Sequence, residues 1–126
     1  MKKKILFIMM LVMTLTGSYT SETNATNSPG DTMPEIIARP TNQFVQAGQT
    51  IEIAAIFRGT PTPEVRFYKN NRRIYNDGRF TISVGPQTGM AILKIILATK
   101  EDSGIYQIRA ENSVGLAETS CSIIVE

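Results

Sequence analysis

Short stretches in which hydrophobic and polar residues alternate fill the chain from Pro34 to Glu126. Because successive side chains of a strand point to opposite faces, a period of two with one apolar face predicts a half-buried antiparallel sheet. Tyr106, Ile108 and Ala110 make up one such face. The runs that we predict as strands are 35–39, 42–46, 50–57, 64–69, 79–83, 90–97, 105–112 and 116–126.

Turn-forming residues separate these runs. Gly, Pro, Asn, Asp and Ser favour the fixed or positive φ angles of a chain reversal, and they stand at 59–63, 70–71, 76–78, 85–86 and 103–104. The run 90–97 could also form a helix, but Gly89 and the neighbouring strand patterns favour a strand. Strands at this spacing over about 93 residues predict an all-β fold with two packed sheets.

The first twenty residues follow a different pattern. Lysines at positions 2–4 precede eleven mostly apolar residues, Ile5 to Leu15, and small and polar residues follow. This order is typical of a cleavable secretory signal peptide, with cleavage after Ser18 or Thr20. A membrane anchor is the alternative, but spanning a bilayer takes about twenty apolar residues. We expect residues 1–20 to be a signal peptide and the chain to be secreted.

Residues 21–33 are rich in Ser, Thr, Asn, Pro and Gly and poor in apolar side chains. Such a segment buries too little apolar surface to offset the entropy of ordering, so we predict a flexible linker. It contains an N-glycosylation sequon, Asn24-Ala25-Thr26. The alternative is that this short motif occurs here by chance. The predicted domain is therefore 34–126.

The leader also changes the interpretation of the charge. The whole chain has 13 Lys and Arg against 11 Asp and Glu, and three of the lysines lie in the leader. From Ser21 onward, 10 basic residues face 11 acidic ones, a net charge of −1. The basic isoelectric point thus belongs largely to the leader and does not indicate a nucleic-acid partner.

The residues offer little for catalysis. The chain has no histidine, the commonest general base and metal ligand, and it matches none of the common nucleophile, metal or phosphate-binding motifs. Its one cysteine, Cys121, lies on the same alternating face as Ile123 and Val125, which predicts a buried, inert free thiol. An intermolecular disulfide is the alternative. We predict no enzyme activity, no cofactor and no metal site.

Asp102 to Tyr106, DSGIY, is the most specific motif in the chain. Together with Arg79 and the stretch GTPTPEVRFYKNNR, it resembles an immunoglobulin domain of the I-set type, and the resemblance covers 34–126. The resemblance implies a Greek-key β-sandwich of two antiparallel sheets. It also implies that Tyr106 is the tyrosine of the tyrosine corner, with a hydroxyl bonded to the upstream backbone. Asp102 would pair with Arg79.

Three core positions depart from that family pattern. The resemblance puts the two bridge cysteines at Ala55 and Ile108 and the packing tryptophan at Phe67. A disulfide closing that loop would contribute roughly 4 kcal/mol, whereas burying an Ile or a Phe contributes about 1.5–3 kcal/mol each. A bridge-free sandwich is therefore reasonable. A domain without the bridge resembles the I-set domains of intracellular muscle proteins of the titin and twitchin type, where a reducing cytosol makes the bond useless. That resemblance conflicts with the secretory leader.

If Phe67, Tyr106 and Ile108 face inward, their strand neighbours face solvent. The outward set is Arg66, Tyr68, Gln107 and Arg109, flanked by Glu118, Ser120 and Ser122. Because Tyr and Arg are enriched in protein interfaces, we predict a protein-binding face there, with an ordinary solvated sheet face as the alternative. A second, basic group could attract heparan sulfate or another acidic surface: Lys69, Arg72 and Arg73 with Arg66.

The sequence therefore predicts a secreted, non-catalytic module for protein recognition or adhesion at a cell surface or in the extracellular matrix. An intracellular structural domain of muscle or cytoskeletal type is the alternative. A homodimer formed through the edge near Cys121 is a third possibility. After signal cleavage we expect no membrane span, and we expect no nucleic-acid partner.

Overall fold

The computed structural model describes residues 28–86 and 88–126. The predicted signal peptide (1–20), the sequon at Asn24 and most of the predicted linker (21–33) lie outside these residues. Within the described ranges, no helix is long and apolar enough to cross a membrane.

In these ranges the chain forms nine strands and one short 3₁₀ helix. The strands are β1 (Thr32–Ala38), β2 (Gln43–Val45), β3 (Ile51–Thr60), β4 (Glu64–Lys69), β5 (Arg72–Arg73), β6 (Phe80–Val84), β7 (Met90–Ile95), β8 (Gly104–Glu111) and β9 (Leu116–Val125). The 3₁₀ helix covers Lys100–Asp102, between β7 and β8.

Some strand bounds differ from the sequence pattern. Strand β1 begins at Thr32, within the segment that we predicted as linker. The apolar run 90–97 is a strand only as far as Ile95, because Leu97 has a φ of +53°, outside the β region. The short strand β5 was not predicted.

The strands form two sheets, one of four strands in the order β1-β3-β7-β6 and one of five in the order β2-β9-β8-β4-β5. Neighbouring strands are mostly not consecutive, so the chain crosses repeatedly between the sheets. The predicted all-β sandwich is therefore confirmed. One detail is corrected: β2 pairs with β9 in parallel, whereas the other ladders are antiparallel. The chain changes sheets near Pro40, which has no N–H to continue the β1 ladder.

The core lies between the inner faces of the two sheets. Ala55 on β3, Phe67 on β4 and Ile108 on β8, which the resemblance assigns to the family's bridge and tryptophan positions, are apolar and at most 1% exposed. The other large buried side chains are Ile51, Ile53, Phe57, Leu93, Ile95, Tyr106 and Ile123. Hydrophobic burial therefore holds the sheets together here without a disulfide.

Candidate protein-binding face

The four residues of the predicted binding face lie together on the outer side of the five-stranded sheet. Arg66 and Tyr68 alternate along β4 with buried Phe67, and Gln107 and Arg109 alternate along β8 with buried residues. In the ladder, Arg66 lies opposite Arg109, and Tyr68 lies opposite Gln107. Strand register thus brings the four side chains into two adjacent rows, which we call the Arg/Tyr face.

Arg109 is held from two sides. Its Nε and Nη2 donate hydrogen bonds to Glu118 Oε2 at 2.8 and 2.7 Å, because Glu118 lies directly opposite it on β9. Its guanidinium also lies 4.9 Å from the centre of the Tyr68 ring, a cation–π contact. The hydrogen bond to Glu118 raises the pKa of Arg109 above its ordinary value, so this side chain stays charged at any physiological pH.

Fewer nitrogens of the Arg66 guanidinium than of the Arg109 guanidinium donate hydrogen bonds. Its Nη2 donates to Glu64 at 3.0 Å, and the side chain is 34% exposed. Its Nε is buried and has no hydrogen-bond partner among the described residues. Two like charges opposite each other in a ladder are unfavourable, and the carboxylates of Glu64 and Glu118 reduce that repulsion. The buried Nε is out of reach of a partner, but the exposed part of the Arg66 guanidinium can donate to an incoming acceptor.

Three residues of the predicted basic group, Lys69, Arg72 and Arg73, line one shallow cleft of about 260 Å³ at the edge of the same sheet. Lys69 Nζ donates a hydrogen bond to the carbonyl of Glu101. Arg73 lies opposite Tyr68 in the ladder, and its guanidinium is 4.8 Å from the ring centre of Tyr75. Arg73 thus extends the Arg/Tyr face towards its edge.

Sequence reasoning assigned Arg73 to the basic group but did not place it opposite Tyr68, and it missed Tyr75. The signal was the Asn70-Asn71 pair, in which both residues have positive φ angles, +48° and +70°. Such angles are typical of a tight hairpin turn whose twist matches the flanking strands. That turn folds the chain back and sets β5 against the end of β4.

A polar corner supports one end of the sandwich. Arg79 Nη1 and Nη2 donate to the two carboxylate oxygens of Asp102 at 2.9 and 3.1 Å. Tyr106 donates its hydroxyl proton to the carbonyl of Asp102 at 2.5 Å. The backbone N–H of Thr99 donates to the Asp102 carboxylate at 2.8 Å. Arg79 stands just before β6 and Asp102 just before β8, so this corner joins the two sheets.

Burial and hydrogen bonding act in opposite directions on Asp102, which is 4% exposed. Burial alone would raise its pKa, but the hydrogen bonds from Arg79 and Thr99 and the positive charge of Arg79 outweigh burial and lower the pKa below its usual value. Burial raises the pKa of Tyr106 well above its ordinary value. Both groups therefore keep one protonation state over the physiological range, as a structural corner requires.

Cys121 is a buried free thiol on β9, 4% exposed. Burial raises the pKa of its thiol to about 11, so little of it is thiolate at neutral pH. Because it lies among the core side chains, a disulfide to a second copy through this residue would require the core to open.

Comparison with known proteins agrees with the fold. A family model described as "Immunoglobulin I-set domain" matches residues 34–125. The chain is 30% identical over 92 residues to the muscle M-line assembly protein unc-89 of Caenorhabditis elegans, covering 73% of this chain and 1% of that protein. It is 33% identical over 92 residues to the netrin receptor DCC of Homo sapiens, covering 73% of this chain and 6% of that protein.

Among solved structures, the titin domains z1z2 in complex with telethonin are 31% identical, with a TM-score of 0.72, covering 76% of this chain and 48% of that chain. The chain therefore spans only a small part of these two curated relatives. Those relatives include a muscle protein and a receptor.

Proposed function

We propose that this chain, which belongs to the immunoglobulin I-set domain family, is a non-catalytic module that binds a protein partner outside the cell through the Arg/Tyr face. Domains of this family are protein-interaction and structural modules. The observation that carries the proposal is the arrangement of Arg109, stacked on Tyr68 and held by Glu118.

Preorganisation makes this arrangement suited to binding. Tyr and Arg account for a large share of the residues that dominate protein interfaces. A side chain that is already fixed in the free protein loses less conformational entropy on association. Arg109 and Tyr68 are fixed by each other and by Glu118, while the Arg66 side chain is partly exposed. We therefore expect a partner that presents a carboxylate or carbonyl to Arg66 next to an apolar group that covers Tyr68.

The leader pattern supports secretion. Lysines at 2–4 followed by the apolar run from Ile5 to Leu15 form the order of a signal peptide, and a relative named as a receptor is similar in sequence. Intact mass of the chain expressed in animal cells, measured separately in medium and lysate, tests this. We expect a species in the medium that begins near Ser21, with or without glycan at Asn24.

The alternative is an intracellular structural domain of muscle type. It is favoured by the buried apolar residues Ala55, Phe67 and Ile108, because a reducing cytosol makes the bridge they replace useless. The similarity to unc-89 and to titin domains also favours it. Full-length, unmodified chain confined to the lysate would support this alternative and contradict secretion.

A binding experiment tests the Arg/Tyr face itself. Purified chain would be titrated onto a panel of animal cells and bound protein measured by flow cytometry, with protease-treated cells as the background. We expect saturable, protease-sensitive binding by the wild type and a loss of about tenfold or more in affinity for the variant Arg66→Ala, Tyr68→Ala, Arg109→Ala.

The matched control carries three exposed substitutions away from that face, Thr81→Ala, Ser83→Ala and Lys100→Ala. It should bind as the wild type does, and circular dichroism should show that both variants fold. Equal binding by the wild type and the Arg/Tyr variant would show that the face is an ordinary solvated surface.

A further inference from the structure

The outer side of the four-stranded sheet is apolar at its centre. Ala54 and Ile56 on β3 and Met90 and Ile92 on β7 alternate with buried residues, so their side chains point away from the core. Met90 is 40% exposed, and Ile37 on the neighbouring strand β1 is 47% exposed. An antiparallel sheet with one face on the core usually has polar residues at such outward positions. Contiguous exposed apolar residues therefore indicate a surface that another molecule covers.

Strand register arranges this surface in rows. Across the β3–β7 ladder, Glu52 lies opposite Lys94, Ala54 opposite Ile92, and Ile56 opposite Met90. The first row thus carries one negative and one positive side chain, both exposed, and the next two rows are apolar. We call this surface the row face.

We propose that the row face binds a second copy of this chain, related by a twofold axis that runs parallel to β3 and β7 and passes between them. Such an axis places each residue of one copy opposite the second copy's version of the residue that pairs with it across the β3–β7 ladder. Glu52 then faces Lys94 of the second copy, and Lys94 faces the second copy's Glu52. The apolar rows likewise face apolar rows.

The charge pattern selects this axis over the other twofold arrangement of two face-to-face sheets. Arg58, the next outward residue of β3, is already paired with Glu35. An axis that crosses the strands at the Ala54 and Ile92 row would place the Glu52 and Lys94 row against Ile56 and Met90 of the second copy. That arrangement would desolvate two charges against apolar groups without pairing them. A self-complementary patch is what a twofold dimer requires, and aligned sheets pack face to face readily.

The contact area is small, since the row face consists of a few side chains on two central strands. A small interface gives a weak complex, so we expect the dimer to form over a range of about 10 µM to 1 mM. The Arg/Tyr face belongs to the other sheet, so dimerisation through the row face leaves it free. The two proposals therefore stand or fall separately.

The test is sedimentation velocity of the full chain, purified from animal cells, in reducing buffer that excludes a disulfide through Cys121. We expect the wild type to shift from monomer to dimer with increasing concentration. Glu52→Lys alone and Lys94→Glu alone should each weaken dimerisation by about tenfold or more, because each puts two like charges across the axis. A mixture of the two variants should form a heterodimer, because the introduced lysine then faces the introduced glutamate.

Matched controls are Glu126→Lys and Lys100→Glu, which make the same charge changes at exposed positions outside the row face. Both should dimerise as the wild type does. A wild type that stays monomeric across the range overturns the proposal. So do single reversals that dimerise normally, or a mixture that associates no better than its separate components, because either result assigns the association to another surface.

Discussion

The two outer faces of this sandwich differ although they cover the same core. The Arg/Tyr face is charged, and its arginines are held by carboxylates and an aromatic ring. The row face is apolar at its centre, with the Glu52 and Lys94 row at one end and the Arg58–Glu35 ion pair beyond the other. Both sheets show the same inward alternation of buried side chains. The comparison teaches that inward positions determine the fold, while outward positions are free to specify two different kinds of contact.

The largest expected effect is a loss of stability in the core that both faces share. Phe67→Ala deletes a fully buried side chain between the sheets, and a phenylalanine truncated in a core costs about 3–5 kcal/mol of unfolding free energy. Urea unfolding followed by circular dichroism measures this cost. Phe44→Ala is the matched control, because Phe44 is 77% exposed and its loss should change stability little. Equal effects of the two variants would contradict the assignment of Phe67 to the shared core.

Sequence reasoning reached the inward positions because their signal is local. Tyr106, Ile108 and Ala110 follow the period of two, and each is buried. The outward contacts depend on which strands become neighbours. The pairing of Arg109 with Glu118 follows from the β8–β9 register, which Asn112 supports by accepting hydrogen bonds from the backbone N–H groups of the turn between these strands. No local pattern predicts that register.

The row face was missed for a related reason. The runs 50–57 and 90–97 are apolar at several outward positions as well as at inward ones, which is typical of strands covered on both faces. The sequence pattern predicted these runs as strands, but it made no prediction of what covers their second face. Strand β5 was missed because a strand of two residues depends on a tertiary hairpin rather than on a pattern of its own.

A second prediction sharpens the comparison by fixing the two sheets to each other. Ala55 lies on the four-stranded sheet and Ile108 on the five-stranded one. In a Cys121→Ala background, we expect Ala55→Cys with Ile108→Cys to form the family's bridge. Its oxidised form should be more stable than its reduced form by roughly 4 kcal/mol. Urea unfolding with and without reductant, together with intact mass, measures this difference.

The single variant Ala55→Cys, in the same background, is the control and should show no dependence on reductant. If the double variant shows no bridge by mass, the two positions do not superpose on the family's cysteines. If it is bridged and binding at both outer faces is unchanged, neither face depends on sliding of one sheet over the other.

A third prediction concerns the corner that joins the sheets. Asp102→Asn removes the charge that pairs with Arg79, and since the Arg79 side chain is 36% exposed, we expect a cost of about 2 kcal/mol rather than that of a fully buried pair. The pKa of Asp102 is lower in the folded chain than its usual value. The stabilisation is therefore present above the unfolded pKa and is lost as the pH falls through the folded pKa.

Urea unfolding at pH 7 and at several pH values below about 4 measures both effects. The wild type should lose stability towards acid more steeply than Asp102→Asn. Glu101→Gln is the control at pH 7, because the Glu101 side chain lies next to Asp102 in the chain but is exposed, and its loss should leave the stability at pH 7 unchanged. Parallel acid profiles for the wild type and Asp102→Asn would mean that the corner does not depend on this charge.

The two variants with the smallest expected effect on stability distinguish the two faces most clearly. Glu118→Gln releases Arg109 from a partly exposed ion pair, and Ile92→Thr makes the centre of the row face polar while keeping a β-branched residue. Each should change the unfolding free energy by less than about 1 kcal/mol.

Glu118→Gln should weaken cell-surface binding several-fold and leave dimerisation unchanged, because Arg109 is no longer fixed over Tyr68. Ile92→Thr should do the reverse. If either variant affects both measurements equally while the fold is intact, the two faces are coupled, and the separation argued from their opposite sheets is wrong.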